Sequence, residues 1–249
     1  MTERGVLLIV TGASRGLGQA IARAFVERTP KIAAVHLIAR SSLRETADSL
    51  PAVPTFCHSM DLGDMTTLDA NLTTLIDTID DESYDRAVLI HNAGSLGFVG
   101  PSLDTPSLHE VQQTLDLNLT SFLWMTRRLV SALHRNNNLT IVHISSLTAV
   151  QPLPTMALYT AGKAARDSYM QCLALECPSL RVLNYAPGPL QTSMANELLS
   201  NPQLDVTLQR QFQNALLDPV DSARVLMDLL EENTFESGAH IDYFDVVQL

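Results

Sequence analysis

The sequence predicts an α/β protein built on one doubly wound parallel sheet of about seven strands, with helices on both faces. Short apolar runs alternate with longer helical patterns along all 249 residues, which is typical of strand–helix–strand units. Most of the short runs are apolar on both faces, as buried parallel strands are. Because no repeat, low-complexity segment or Gly/Ser-rich linker divides the sequence, residues 1–249 are expected to form a single domain.

Seven runs are predicted as strands because each is short, apolar and rich in residues that favour strands. In chain order they are Val6–Thr11, Ala34–Ala39, Thr55–Ser59, Ala87–His91, Leu139–Ser145, Arg181–Tyr185 and Ala239–Phe244. The longer stretches between them are predicted as helices: Leu17–Glu27, Met65–Ile79, Leu108–His134, Tyr159–Glu176 and Val220–Glu231. Asp64, Ser107 and Asp218 are predicted helix starts, and Pro178 ends the fourth helix.

Composition excludes several classes of protein. Hydrophobic residues make up 46% of the chain and charged residues 17%, so a chain of this length can bury a full core. A disordered tail, a collagen-like chain and a disulfide-built miniprotein are therefore excluded. The net charge of −11 argues against general affinity for nucleic acid or for an anionic membrane surface. It is compatible with a small anionic ligand held by a few arginines or lysines.

The cysteine and histidine patterns indicate neither disulfides nor a metal site. Three cysteines are an odd number, and they lack CxxC spacing. The seven histidines show no HxxxH or HExxH spacing, so no metal is expected.

The first apolar run, Val6–Val10, is too short for a signal peptide or a membrane span. A soluble, cytoplasmic protein is expected.

A glycine-rich turn joins the first predicted strand to the first predicted helix. Its glycines allow a tight turn, close approach of the backbone to a pyrophosphate, and close packing of helix against strand. The N–H groups and the positive dipole end of the helix then favour phosphate. At the first strand–helix junction, this turn predicts a dinucleotide site in a Rossmann-type sheet. The residues that form it are Gly12, Ala13, Ser14, Arg15, Gly16, Leu17 and Gly18.

The end of the second predicted strand indicates which dinucleotide is bound. An NAD site usually places Asp or Glu there, whereas a basic residue suits the 2′-phosphate of NADP. This strand is followed by Arg40 and Ser41, with no acid at that position. Arg40 and Arg15 could hold the phosphate from two sides, which favours NADPH. The alternative is that Arg40 is an ordinary surface arginine.

Three further residues predict proton transfer to a carbonyl group. Tyr159 and Lys163 are four positions apart, so on a helix they share one face. Tyrosine has an ordinary pKa near 10, and a neighbouring ammonium group is expected to lower that pKa. Ser146 follows the fifth predicted strand, where ligands of open α/β sheets bind. Its hydroxyl could polarise a carbonyl oxygen while Tyr159 donates the proton.

Four motifs together resemble the short-chain dehydrogenase/reductase family over nearly the whole chain. They are the glycine turn, Asn92-Ala93-Gly94, a serine thirteen positions before Tyr159, and the YxxxK pair. The resemblance implies that Ser146, Tyr159 and Lys163 are catalytic, and that Asn118 holds a water molecule of a proton relay. His91 departs from the family pattern, in which many members have a second Asn; it lies outside the catalytic set.

The same resemblance implies the remaining cofactor contacts. Asp61 and Leu62 match the pair beside the adenine, and Asn92, Ala93 and Gly94 match the nicotinamide side. A loop after the sixth predicted strand matches the family's loop over the nicotinamide. Its residues are Pro187, Gly188, Leu190, Gln191, Thr192, Ser193, Met194 and Ala195.

Further segments, among them Ala157–Asp167 and Ser237–His240, are similar to family members that reduce side-chain carbonyls of pterins in tetrahydrobiopterin synthesis. This similarity implies that Asp242 binds the guanidine-like edge of the pterin ring, with Asp245 as the neighbouring alternative. The implied substrate contacts are Ser146, Leu147, Tyr159, Gly188 and Asp242. A broader carbonyl or diketone reductase is the alternative. An NADPH-sensing module without turnover is less favoured, because the catalytic residues are retained.

The two longest predicted helices indicate a homodimer. Related reductases pair these helices across a twofold axis. Leu115, Leu119, Phe122 and Leu123 place more apolar surface on the first of them than one buried face needs. The expected partners are a second copy of the chain and a small-molecule substrate.

Overall fold

The computed structural model describes residues 4–50, 53–133 and 138–247. Within these ranges seven strands form one parallel sheet in the order β3-β2-β1-β4-β5-β6-β7, which confirms the predicted doubly wound fold. The strands are β1 Gly5–Thr11, β2 Ile32–Ala39, β3 Thr55–Ser59, β4 Tyr84–His91, β5 Leu139–Ile144, β6 Arg181–Ala186 and β7 His240–Asp242. The order of the strands changes direction between β1 and its neighbour β4, and ligands of open α/β sheets bind at such a switch point.

Helices cover both faces of the sheet. They are α1 Gly16–Arg28, α2 Arg44–Asp48, α3 Leu68–Asp77, α4 Leu108–Leu115, α5 Ser121–Leu133, α6 Ala157–Glu176, α7 Ser193–Ser200, α8 Val206–Ala215, α9 Pro219–Glu232 and α10 Tyr243–Val246. Alternate residues of β1 point to opposite faces. Leu8 and Val10 therefore join the core under α1 and α9, whereas Leu7 and Ile9 join the core under α3, α5 and α6. None of the helices in the described ranges is long and apolar enough to span a membrane.

Two of the three predicted helix starts are confirmed as side-chain caps. The Ser107 hydroxyl accepts a hydrogen bond from the Glu110 N–H at the start of α4, and the Asp218 carboxylate accepts one at the start of α9. The prediction for Asp64 is wrong by one turn. Its carboxylate accepts from the Thr66 N–H and hydroxyl in the turn that precedes α3.

The predicted helix Leu108–His134 is confirmed over Leu108–Leu133, which is helical throughout, and residue 134 lies outside the described residues. Within it a π-helical turn, Asp116–Thr120, lies between the α-helical parts α4 and α5. The last strand is shorter than predicted, because α10 begins at Tyr243. The Asp242 carboxylate accepts from the Phe244 N–H, and the Asp245 carboxylate accepts from the Asp242 N–H. This reciprocal cap stabilises a helical turn where the apolar pattern had predicted strand.

Besides α10, three helices were not predicted: α2, α7 and α8. The latter two form part of a small separate core over the carboxyl ends of the strands. Its buried members are Leu96, Val99, Met156, Leu198, Leu204 and Leu208. Leu96, Met156 and Leu198 of this small core line the cavity at the carboxyl ends of the strands.

Candidate active site

A cavity of about 420 Å³ lies at the carboxyl ends of the strands. Most of the sequence-predicted site residues line it: Gly12, Ser14, Arg15, Gly16, Leu17, Arg40, Ser41, Asp61, Leu62, Asn92, Ala93, Gly94, Ser146, Tyr159, Lys163, Pro187, Gly188, Leu190, Thr192, Ser193, Met194 and Ala195. The predicted residues outside this lining are Ala13, Gly18, Asn118, Leu147, Gln191 and Asp242. The topology therefore brings the glycine turn and the catalytic residues into one cavity.

The glycine turn has the backbone that the sequence predicts. Gly12 and Gly16 adopt φ of +66° and +59°, in a region that residues other than glycine rarely adopt. A Cβ on Gly12 would lie 2.8 Å from the Asn92 amide nitrogen, so the turn also needs glycine for close packing. Arg15 is the N-cap residue of α1 and makes no side-chain capping bond. The first N–H groups of α1 are thus available to a phosphate.

The loop after β4 is bonded to the glycine turn. The Asn92 side-chain amide donates to the carbonyl oxygens of Thr11 and Gly12, at 3.0 and 3.1 Å. The Thr11 hydroxyl accepts from the backbone N–H groups of Asn92 and Ala93, both at 2.9 Å. Because these bonds join two strand ends, the Asn92 side chain fixes the shape of the cavity wall.

Arg40 lies at the end of β2 with its side chain 77% exposed. Its guanidinium forms an ion pair with the Asp61 carboxylate at 3.3 Å. Ser14 and Ser41 lie close by, with 3.3 Å between their hydroxyl oxygens. Together with Arg15, these side chains give this part of the cavity two guanidinium groups and two hydroxyl groups, a set of donors that suits a phosphate.

Ser146 and Tyr159 lie close to each other at the cavity wall, and the Ser146 hydroxyl accepts a hydrogen bond from the Thr148 N–H at 3.2 Å. Ser146 lies two residues after Ile144, the last residue of β5, and caps a short 3₁₀ turn, Leu147–Ala149. Tyr159 lies in the first turn of α6. Burial raises the pKa of Tyr159 above its ordinary value, and the nearby Ser146 hydroxyl and the Arg166 charge only partly oppose this. The phenol is therefore protonated at neutral pH.

The sequence-based expectation that Lys163 lowers the pKa of Tyr159 is wrong for this structure. The Lys163 ammonium donates to the Ile144 carbonyl and lies 5.5 Å from the centre of the Tyr159 ring. Lys163 is itself buried. Burial, followed by the Arg166 charge, lowers its pKa to about 7, and the Asp167 charge acts in the opposite sense. Burial therefore determines the pKa of the Tyr159 phenol, and the buried Lys163 ammonium does not lower it.

Arg166 is a site residue that the sequence reasoning did not assign. Its guanidinium is buried, stacks over the Phe122 ring and donates to three backbone carbonyl groups. One is that of Ala93 at 3.2 Å, and the other two, of Leu117 and Asn118, belong to the π-helical turn. Arg166 thereby joins the catalytic helix to the loop after β4. Its position one turn after Lys163 was the available signal.

Asn118 lies behind the catalytic residues rather than on the cavity wall. Its side-chain amide donates to the Ser95 carbonyl at 2.8 Å and accepts from the Ser95 N–H at 2.9 Å. Asn118 also contacts a small void that Tyr159 and Lys163 share. The side chain therefore positions the loop that follows Gly94, and its role in a proton relay stays a prediction.

Asp242 is half-buried, and its carboxylate caps α10. Burial raises the pKa of this carboxyl group. The residues that follow it reach the predicted nicotinamide loop, because a Cβ on Gly188 would lie within 4 Å of Tyr243 and Phe244. Leu147 is 46% exposed. The substrate contacts of Asp242 and Leu147 stay predictions.

The remaining cavity wall is mostly apolar. It is formed by residues of the small separate core and of α7 and α8, which the sequence analysis did not assign. They are Leu96, Met156, Leu198, Leu199 and Phe212, with Glu197 as the charged member. A wall of this kind suits a flat, partly apolar ring.

Comparisons with known proteins agree with this geometry. The short chain dehydrogenase family model matches residues 7–203. Sepiapterin reductase of Rattus norvegicus is 40% identical, over 96% of this chain and 96% of that protein. Benzil reductase ((S)-benzoin forming) of Bacillus subtilis (strain 168) is 28% identical, over 95% of this chain and 97% of that protein. The crystal structure of the KRED1-Pglu enzyme has a TM-score of 0.80 at 23% identity, over 94% of this chain and 99% of that one.

Proposed function

This chain belongs to the short-chain dehydrogenase family, and we propose that it uses NADPH to reduce carbonyl groups on pterin side chains, with sepiapterin as a substrate. The observation that carries the proposal is that Ser146, Tyr159 and Lys163 line one cavity together with the glycine turn. The similarity to sepiapterin reductases over nearly the whole chain supports the choice of substrate.

The residues of the cavity fit a dinucleotide phosphate. Gly12 and Gly16 open the turn, and the first N–H groups of α1 can bind the pyrophosphate. Arg15 and Arg40 would bind the 2′-phosphate, which favours NADPH over NADH. When bound, the nicotinamide supplies a hydride to the carbonyl carbon.

The side chains of this chain handle the proton. Tyr159 donates its phenolic proton to the carbonyl oxygen, and Ser146 polarises that oxygen by a hydrogen bond. Burial favours this direction, because a raised pKa keeps Tyr159 protonated and ready to donate. Lys163 would hold the nicotinamide ribose through its ammonium group.

The substrate ring would lie against the apolar wall that includes Leu96, Met156 and Phe212. A guanidine-like edge presents parallel donors to a carboxylate, and Asp242 would accept them. NADPH consumption with sepiapterin, beside a panel of simple diketones, tests the proposal. A clearly higher kcat/KM for sepiapterin than for any diketone is expected, and a diketone with an equal or higher kcat/KM would contradict the proposal.

A broader diketone reductase is the second candidate. The similarity to a benzil reductase and the apolar cavity wall favour it. The same assay decides between the two, with benzil in the panel. Comparable specificity constants for benzil and sepiapterin would favour this second candidate.

We also propose a single cytoplasmic domain over residues 1–249 that assembles as a homodimer. Exposed apolar side chains on α4 and α6 support the assembly, since Leu108 and Leu175 are both 82% exposed. Trp124 on α5 is 38% exposed, whereas Phe122, which was expected to add to the exposed apolar surface, is buried in the core. Light scattering at micromolar concentration tests this part, and a monomer would contradict it.

A further inference from the structure

A buried ion pair joins the last strand of the sheet to the catalytic helix. His240 on β7 donates from Nδ1 to the carboxylate of Asp167 on α6, at 2.6 Å. The two side chains are only 13% and 7% exposed. Charged side chains are almost never buried without partners, and short hydrogen bonds between charged groups are the strong ones. Neither residue lines the cavity, so any effect of the pair on the site is indirect.

Both partners are fixed in this arrangement. The second carboxylate oxygen of Asp167 accepts from the Ser145 hydroxyl at 2.6 Å, and Ser145 directly precedes Ser146 after β5. On His240, Nε2 is buried and has no hydrogen-bond partner among the described residues. The bond to Asp167 is therefore the polar contact that holds the imidazole ring. This bond also raises the pKa of His240, which favours the charged pair.

The strand that carries His240 is short and has one neighbour. β7 spans three residues, His240–Asp242, and pairs only with β6 at the edge of the described sheet. It passes close to α6, because a Cβ on Gly238, just before β7, would lie 3.2 Å from the Ala174 Cβ. A three-residue edge strand makes few backbone hydrogen bonds. The side-chain bond to Asp167 therefore adds a second attachment, from β7 to α6.

The segment held in this way borders the cavity. Side chains two positions apart on a strand point to the same face, so His240 and Asp242 share the α6 face of β7. After Asp242 the chain turns into α10, and a Cβ on Gly188 would lie 3.6 Å from the Phe244 ring and 3.7 Å from the Tyr243 Cβ. Gly188 lines the cavity. A shift of β7 away from α6 would therefore move Asp242 and loosen the loop at Gly188.

We propose that His240 is a positioning residue: its ion pair with Asp167 holds β7 and α10 at the place from which Asp242 reaches the ring of a substrate whose carbonyl group lies at Tyr159. A binding group is effective only when supporting contacts hold it in place, and this pair supplies such a contact to an edge strand. The inference rests on the proposed function for the substrate and for Asp242 as its anchor. The link between β7 and α6 does not depend on that function.

Amide hydrogen exchange, followed by mass spectrometry of the peptide that covers residues 239–247, tests the link without cofactor or substrate. In His240→Ala these amides should exchange at least about tenfold faster than in the unaltered chain, because a hydrogen bond between charged groups stabilises by that factor or more. Should His240→Ala fold poorly, Asp167→Asn removes the charge from the other partner and should speed exchange of the same peptide. Unchanged exchange in the folded variant would overturn the proposal.

Thr126→Val is the matched control for lost stability. It removes a buried hydroxyl on α5 that bonds His91 and the Phe122 carbonyl. It should lower the melting temperature and leave the exchange of residues 239–247 unchanged. Equal acceleration in this control would mean that His240→Ala loosens the whole fold, and it would overturn a specific link between β7 and α6.

Kinetics separate positioning from a general structural role. In His240→Ala the KM for sepiapterin should rise roughly tenfold, while kcat and the kcat/KM for diacetyl change little, because diacetyl has no ring for Asp242 to bind. Equal losses with both substrates, or an unchanged KM for sepiapterin, would overturn the proposal. In the Asp242→Asn background, His240→Ala should raise the KM no further, since two changes that act through one group are not additive. Additive effects would also overturn it.

The two measurements distinguish this inference from the proposed function. If the unaltered chain does not reduce sepiapterin but residues 239–247 exchange faster in His240→Ala, the choice of substrate is contradicted and the link between β7 and α6 is confirmed. If the chain reduces sepiapterin and neither the exchange nor the KM changes in the variant, only the role of His240 is contradicted.

Discussion

Arg166→Lys is expected to destabilise the protein although it keeps the positive charge. The guanidinium of Arg166 donates to three backbone carbonyl groups on two separate elements, and its planar fork reaches them together. An ammonium group on a lysine stem cannot serve all three in that geometry. At least one buried carbonyl, that of Ala93 or of the π-helical turn, would lose its donor.

The magnitude follows from the number of bonds lost. A buried polar group left without a partner costs about 1–3 kcal/mol. With one or two of the three carbonyl groups unpaired, the free energy of unfolding should fall by about 2–4 kcal/mol. Burial already lowers the pKa of Arg166 to about 9, and a lysine at the same place would lose its charge more readily. The loss is therefore placed above the minimum for one carbonyl.

Urea unfolding measures this loss through the midpoint and slope of the transition. Arg44→Lys is the matched control, because Arg44 is 87% exposed and forms an i,i+4 pair with Asp48 at 3.4 Å. This surface substitution should change the free energy of unfolding by less than about 0.5 kcal/mol. If Arg166→Lys costs no more than the control, Arg166 does not support the π-helical turn and the loop after β4.

The remaining predictions concern the cofactor and the substrate. The unaltered chain should prefer NADPH over NADH on the order of 10²-fold, because a charge-assisted hydrogen bond contributes about 1.5–3 kcal/mol, and Arg40→Ala should reduce this preference. Titration with both cofactors checks this. Equal affinities in the unaltered chain would contradict binding of the 2′-phosphate by Arg15 and Arg40. Asp242→Asn keeps a helix-capping side chain but removes the charge, so the apparent KM for sepiapterin should rise by roughly tenfold or more while that for a small diketone changes little. Equal losses with both substrates would make Asp242 structural. Burial lowers the pKa of Lys163 to about 7, so its ammonium form is present below that pH and lost above it. NADPH affinity should therefore weaken as the pH rises through neutrality. A binding affinity that does not change with pH in fluorescence titrations would contradict this.

The sheet and the main site residues could be predicted because their signals are local. The apolar run of five residues before Thr11-Gly12 predicts a strand that leads into a phosphate-binding turn, and YxxxK places two side chains on one helix face. Parallel strands then bring these separate segments to one edge of the sheet.

What the sequence did not reveal depends on tertiary contacts. In the sequence Arg166 cannot be distinguished from a surface arginine. Its role depends on the π-helical turn, which directs the Leu117 and Asn118 carbonyl groups toward its guanidinium. The helices α7 and α8 each bury one leucine, so their apolar pattern is weak. At the C-terminus, the cap formed by Asp242 and Asp245 overrides the strand preference of the residues around Tyr243. The effect of Lys163 on Tyr159 depends on burial, which spacing alone does not measure.

The central claim is tested most directly by NADPH oxidation with sepiapterin, followed for the purified chain and for Tyr159→Phe. Phenylalanine keeps the ring but removes the phenolic proton that would go to the carbonyl oxygen. A positioned acid contributes about 10²–10⁴-fold in rate, so turnover should fall at least that far while NADPH still binds. Full activity in Tyr159→Phe, or no sepiapterin reduction by the unaltered chain, would contradict the assignment.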